Sequence, residues 1–273
     1  MRFNTDPGAG WYDGNYTRGA DGNVATAPTP AGTLTLVVGG ASAPTVEFAA
    51  PVSRIDGLQI DAGGKARIAA TPQAGLLTLH ANALSVSGSG QLDVANNRMV
   101  FDYDGSASPL ADVATMIRGG FNAGGPHWQG SGINSSVAAA NVGMAVGYAE
   151  ASDVLQLSGN DTALFGGDRV DASSVLVRFT RVGDADLDGV VTFADFQRLE
   201  EGLGKSGQGW SGGDFNYDGL VDDADYKVFY VSYSLGLSAD GSVVGVLPEP
   251  VGVGMILPVA AMALTRRRRR TRP

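Results

Sequence analysis

A chain of 273 residues with 40 glycines and only 17% charged residues holds one large or two modest domains, built from short strands and turns rather than long helices. It has no cysteine, which excludes disulfides and thiol catalysis. The formal charge is −9, yet six arginines at the extreme C-terminus are included in it, so residues 1–265 stand near −15 and lack the basic face that nucleic acid would need.

The first residues, Met1-Arg-Phe-Asn-Thr-Asp6, have no charged region followed by an apolar run. No signal peptide is expected there, and we read the start as internal to a longer gene product. Residues 1–30 are rich in Gly, Asp and Thr and read as loop with an occasional strand. From Leu34 to Tyr103, apolar alternations of three to five residues recur at short intervals: Leu34–Val38, Thr45–Phe48, Leu58–Ile60, Ala66–Ile68, Leu76–Leu79, Leu84–Val86, Leu92–Val94 and Met99–Phe101. Small residues punctuate them. This pattern predicts a mainly β body, a β-solenoid or a sandwich, and the shortness of the strands favours the solenoid.

Pro109 to Arg118 reads as a helix that stops at Gly119-Gly120, and Gly119 to Ser136 as an ordered loop. Strands are expected again near Leu155–Leu157 and at Val175–Phe179. Gln91–Tyr103 and Gly130–Ser136 carry a resemblance, over roughly residues 75–180, to the C-terminal ends of large secreted planctomycete-type proteins with autotransporter-like strand repeats. That resemblance implies a passive surface role and no catalytic residues.

Two acidic segments thirty residues apart dominate the C-terminal half. In twelve-residue frames starting at Asp184 and Asp214, oxygen-bearing side chains occupy positions 1, 3, 5, 9 and 12: Asp184, Asp186, Asp188, Thr192 and Asp195, then Asp214, Asn216, Asp218, Asp222 and Asp225. Gly189 and Gly219 fill position 6, where the chain bends sharply. Val190 and Leu220, at position 7, would offer backbone carbonyls. A hard cation needing six to eight oxygens is wrapped in this way, so two Ca²⁺ ions are expected. Val191 and Val221 are expected to pair and couple the two sites. Behind the loops, Phe193, Phe196, Leu199 and Leu203, then Tyr226, Phe229, Tyr230 and Tyr233, recur at helical spacing and read as the core of a small module. Trp210, in the Gly204–Gly213 connector, is expected to pack over those helices.

The doubled pattern with a helix only on its C-terminal side resembles a type I dockerin repeat pair, covering Gly183 to about Gly236. The resemblance implies the ligand set above, and a cohesin-like or cell-surface protein or polysaccharide partner. Cellulosomal dockerins carry Ser-Thr at positions 10 and 11. Here these are Phe193-Ala194 and Asp223-Ala224, which speaks against a cellulosomal cohesin. Crowded carboxylates predict a module largely unfolded without metal.

After a linker at 237–247, the tail 248–273 begins with Pro248, Glu249 and Pro250. An uncharged stretch from Val251 to Leu264 follows, and then Arg266, Arg267, Arg268, Arg269 and Arg270. Fourteen helical residues span about 21 Å, short of the roughly 30 Å hydrocarbon core unless flanking residues extend them. The arginines would hold the terminus on the cytoplasmic side. Pro-Glu-Pro, apolar run and arginine cluster resemble the PEP-CTERM sorting signal, which implies transient membrane insertion and cleavage by an exosortase.

No nucleophile or phosphate-binding motif occurs, and His80 and His127 stand without metal-binding neighbours in sequence. Asp102 and Asp104 make the best carboxylate pair, and they too read as solvated. The expected whole is non-enzymatic: an exported cell-surface structural or interaction protein with a β body at 1–180, a calcium module at 183–236, the linker and a membrane-helix tail. The alternative is the non-catalytic end of a polysaccharide-degrading hydrolase docked through its dockerin, its catalytic domain lying upstream of Met1.

Overall fold

Short alternating stretches do become strands, and their pairing decides the architecture. A computed structural model describes residues 16–18, 24–26, 35–39, 45–103 and 107–235. The linker and the sorting tail, 237–273, lie outside the described residues, as does Asp104. β1 (Tyr16–Arg18) and β2 (Val24–Thr26) pair antiparallel. Then β3 (Thr35–Val38), β4 (Thr45–Phe48), β5 (Val52–Ile60), β6 (Lys65–Ile68), β7 (Thr78–Val86), β8 (Gln91–Asp93) and β9 (Arg98–Asp102) alternate between two sheets.

The odd-numbered strands β3, β5, β7 and β9 run parallel in one sheet, and β4, β6 and β8 run parallel in the other. Like residues therefore stack across neighbouring strands: Leu36 on Leu58 on Leu84, Val38 on Ile60 on Val86, and Val46 on Ala66 on Leu92. Leu58, Ile60, Ala66, Ile68, Leu79 and Leu92 are almost completely buried between the sheets. Burial of this stacked apolar face drives the arrangement, because neither sheet could shield it alone.

α1 (Leu110–Phe121) leads from β9 to β10 (Gly132–Asn134), which extends the second sheet beside β8. The expected stop at Gly119-Gly120 is overturned: the helix runs on to Phe121 and ends on Asn122, which takes a left-handed C-cap. Gly120 instead serves packing, since a Cβ there would sit 1.8 Å from the carbonyl oxygen of Ile133. The stretch expected to be an ordered loop thus contains the helix end and β10, and α2 (Ser136–Ala140) follows, capped by the Ser135 side chain.

β11 (Met144–Glu150), α3 (Ala151–Val154), the hairpin β12 (Thr162–Phe165) and β13 (Asp168–Asp171), and β14 (Ser174–Arg181) complete the body. β14 pairs antiparallel with both β9 and β11, which leaves β11 as one edge of the larger sheet. No strand forms at 155–157, where Gln156 has a left-handed φ of 54° just after α3. The described chain is mixed α/β, mostly sheet with few helices and no closed barrel. Among the described residues, no helix is long and apolar enough to cross a membrane.

Candidate metal centre

β14 delivers the chain into the first acidic loop, and α4 (Phe193–Gly202) leaves it. A connector with a single 3-10 turn, Trp210–Gly212, reaches the second loop, which α5 (Asp223–Leu235) leaves in turn. Both helices start on the loop's tenth residue, with the ninth in the capping position. Thr192 accepts from the Ala194 N–H, and its own N–H donates to Asp195, a reciprocal capping box. Asp222 and Asp225 repeat the pattern.

The two loops match bond for bond. Oδ1 of Asp195 accepts from the N–H groups of Ala185 and Asp186 at 2.7 and 3.2 Å, and Oδ1 of Asp225 from those of Phe215 and Asn216 at 2.8 and 3.0 Å. The Gly189 and Gly219 N–H groups donate to Oδ2 of Asp184 and of Asp214, each at 3.0 Å. Both glycines have φ near +100°, at 100° and 92°, a bend that side-chain-bearing residues rarely adopt. Positions 3 and 5 cap the next turns: Asp186 and Asn216 accept from positions 5, and Asp188 and Asp218 from positions 7. Positions 1 and 12 are buried in both loops, whereas position 5 is exposed.

One oxygen in each loop stands apart. Oδ1 of Asp184 and Oδ1 of Asp214 are buried with no hydrogen-bond partner, on side chains 0% and 1% exposed. An unsatisfied buried polar atom costs about 1–3 kcal/mol, more for a charged one. Carboxylate oxygens of Asp184, Asp186 and Asp188 lie within 4.8 Å of one another, close enough to share a metal ion. The second loop differs by an amide: Asn216 Nδ2 donates to Asp218 at 2.9 Å.

Electrostatics point the same way. Burial, with the charge of Asp195 added, raises the Asp184 carboxyl well above the carboxylate range, against a hydrogen bond from Thr180. Burial and the charge of Asp186 push Asp195 up to about 7; burial and the charge of Asp225 push Asp214 up to about 6. Asp188 and Asp225 are raised as well, each chiefly by burial. Packed carboxylates in a poorly solvated loop resist ionisation unless a cation joins them. The donors are all oxygen, which suits Ca²⁺ or Mg²⁺ better than softer metals.

One expectation needs correction. The backbone of Val221 is engaged by the connector, with its N–H donating to Lys205 and its carbonyl accepting from Gly204, and Leu220 bridges to Ser206. Loop two therefore pairs with the connector through Val221. The turn that carries Trp210 packs against α4 and β11; Trp210 itself is fully buried, stacks on Tyr217 and meets Phe215 edge-on. Of the two apolar stripes, Leu199 and Phe229 are buried and Phe196 and Tyr233 half-buried, while Phe193, Leu203, Tyr226 and Tyr230 face solvent.

Three residues at the loops went unread in the sequence. Thr180 donates to Asp184, and Arg118 and Arg178 donate to loop carbonyls. Apolar residues at position 4 of both loops, Leu187 and Tyr217, were the available sign that these loops lean on something.

A second polar cluster lies on the outer face of the larger sheet. His80 is buried, with Nδ1 2.7 Å from Oδ2 of Asp168 and Nε2 3.7 Å from Asp102. Fully buried Asp168 also pairs with Arg54, and Thr78 donates to Gly166 at 2.9 Å. Together they fasten the β12–β13 hairpin to β5 and β7. His127 is exposed and packs against Phe121 at 4.3 Å.

No protein-family model matches the chain, and neither a curated protein nor a solved structure is significantly similar to it.

Proposed function

We propose an exported, cell-surface structural or interaction role for the chain, whose dockerin-like module, residues 183–236, binds two Ca²⁺ ions. The observation that carries this is the paired orphan: Oδ1 of Asp184 and Oδ1 of Asp214, buried without partners at equivalent points of two matched loops. Asp184, Asp186, Asp188, Thr192 and Asp195 hold one ion with the Val190 carbonyl. Asp214, Asn216, Asp218, Asp222 and Asp225 hold the other with the Leu220 carbonyl. Alternation of parallel strands between two sheets supports reading the body as a short β-solenoid, with β14 and β11 finishing one side.

In this reading the body is a passive scaffold facing a cell-surface protein or polysaccharide. The tail from Pro248 to the arginines directs export-linked cleavage by an exosortase, after transient membrane insertion. Isothermal calorimetry of the full chain with calcium is the direct test. Two binding events that chelator reverses are expected; no heat, with a helical signal indifferent to chelator, would remove the calcium reading. The mass of the C-terminus after expression in an exosortase-bearing host tests the sorting tail separately.

A further inference from the structure

Both loops meet the body through their fourth residue. Leu187 and Tyr217 have left-handed backbones, φ 61° and 62°, which bulky residues rarely tolerate. Their side chains are buried. Leu187 sits against Gly147 of β11, where a Cβ would lie 2.6 Å from its Cδ2. Tyr217 donates its hydroxyl to the carbonyl of the adjacent Val146 at 3.0 Å.

The carbonyl of that same fourth residue accepts from a body arginine in each loop. Arg178 of β14 donates Nη1–H to Leu187, and Arg118, in the last turn of α1, donates Nε–H to Tyr217 at 2.7 Å. Each guanidinium then continues along its loop to position 6. A Cβ on Gly189 would lie 2.1 Å from Arg178 Nη2, and one on Gly219 3.4 Å from Arg118 Nη2. The arginines come from a strand and a helix that the thirty-residue repeat does not relate. Their arrival at the same backbone atom is therefore no by-product of the repeat.

We propose that Arg178 and Arg118 are positioning residues, one per loop, that fix the fourth peptide of each loop and so couple cation binding in that loop to its docking on β11. This rests on the calcium reading above. Arginine offers donors only and cannot itself ligate a cation. The carbonyl it grips is not among the ligand positions, and its rigid fork suits it to hold a peptide in place.

The test uses the full chain, calcium alone, and Arg178→Gln, Arg118→Gln, Arg178→Lys and Arg118→Lys. Calorimetry reads the affinities, and the Gly189 and Gly219 amide resonances report the two loops separately. Arg178→Gln should weaken the Gly189 response roughly tenfold, the usual scale for groups that orient ligands, and leave the Gly219 response in place. Arg118→Gln should do the reverse. Each Lys variant, which keeps the charge and loses the fork, should weaken the same loop as its Gln counterpart, and serves in its place if that variant does not fold. Equal weakening of both loops would reveal general destabilisation and overturn the proposal. So would tighter binding in the Gln variants with unchanged Lys variants, which would make the arginines mere repelling charges. Unchanged affinity in all four also defeats it, with the calcium reading intact. No calcium binding by the unaltered chain defeats the calcium reading itself, and this inference with it.

Discussion

The indole N–H of Trp210 donates to the backbone carbonyl of Asp184 at 2.6 Å, while its ring stacks on Tyr217 with centroids 5.4 Å apart. One residue of the connector thus touches the first position of loop one and the fourth of loop two. The loops are joined through this side chain and stand together on β11.

Trp210→Phe keeps an aromatic ring and removes the donor. Leaving a buried carbonyl unpaired should cost about 1–3 kcal/mol. Because both loops share this residue, both calcium affinities should fall together, unlike the single-loop effects expected of the arginine variants. Denaturant melts with and without calcium read the first effect, and calorimetry the second. Loss confined to one loop would contradict the shared role.

Asp184→Asn and Asp214→Asn each remove the carboxylate that bears an orphan oxygen. Calcium stoichiometry should drop from two to one in either variant. In chelator the same variants should melt at a higher temperature than the unaltered chain, because a buried carboxyl that resists ionisation and leaves one oxygen unpartnered has gone. A lower melting temperature in chelator would mean that these carboxylates are already well compensated.

The pH dependence follows from the raised carboxyls. Asp195 at about 7 and Asp214 at about 6 lie above the ordinary carboxylate value, with burial the main cause in both. A folded-state value raised in this way gives stability that is fully present below the ordinary pKa. That stability is lost as pH climbs through the folded value. Without metal, the melting temperature should therefore fall from about pH 4, the ordinary carboxylate value, to about pH 7, the higher of the raised values. Calcium binds the ionised form and should reverse the slope. Parallel slopes with and without calcium would count against ionisation-linked binding.

Gly147→Ala tests the seat on β11. The added methyl would meet Trp210 Nε1 at 2.5 Å and Leu187 Cδ2 at 2.6 Å. Overpacking of this kind costs about 1–3 kcal/mol. Hydrogen exchange should quicken in the loops and the connector, while β5 and β7 stay protected. Uniform loss of protection would point to collapse of the whole sheet instead.

Asp168→Asn should loosen the β12–β13 hairpin by weakening its ties to Arg54 and His80. Faster exchange across residues 162–171 is expected, with calcium binding unchanged. An effect on calcium would reveal coupling between this cluster and the loops.

Much of the body was readable. Alternation at Thr45–Phe48 coincides with β4, and Val175–Phe179 falls within β14. Leu76–Leu79 and Leu84–Val86 looked like two strands, yet both overlap the single β7. β11 was missed because nearly every residue from Met144 to Glu150 is buried, and a strand covered on both faces shows no alternation. Gly119-Gly120 looked like a helix stop because a missing side chain reads the same whether it ends a helix or admits a neighbouring strand.

By itself the sequence determined the twelve-residue spacing of both loops, the oxygen donors within them and the helices behind them. Such features depend on local geometry: a tight turn, a cap and a repeat of charge are written in adjacent residues. Only the tertiary structure decided which oxygens lie buried without partners, where Trp210 rests and which arginines reach the loops. Arg118 lies 99 residues from the carbonyl it holds, and no local pattern announces a contact whose partner is fixed by how two sheets and a helix pack.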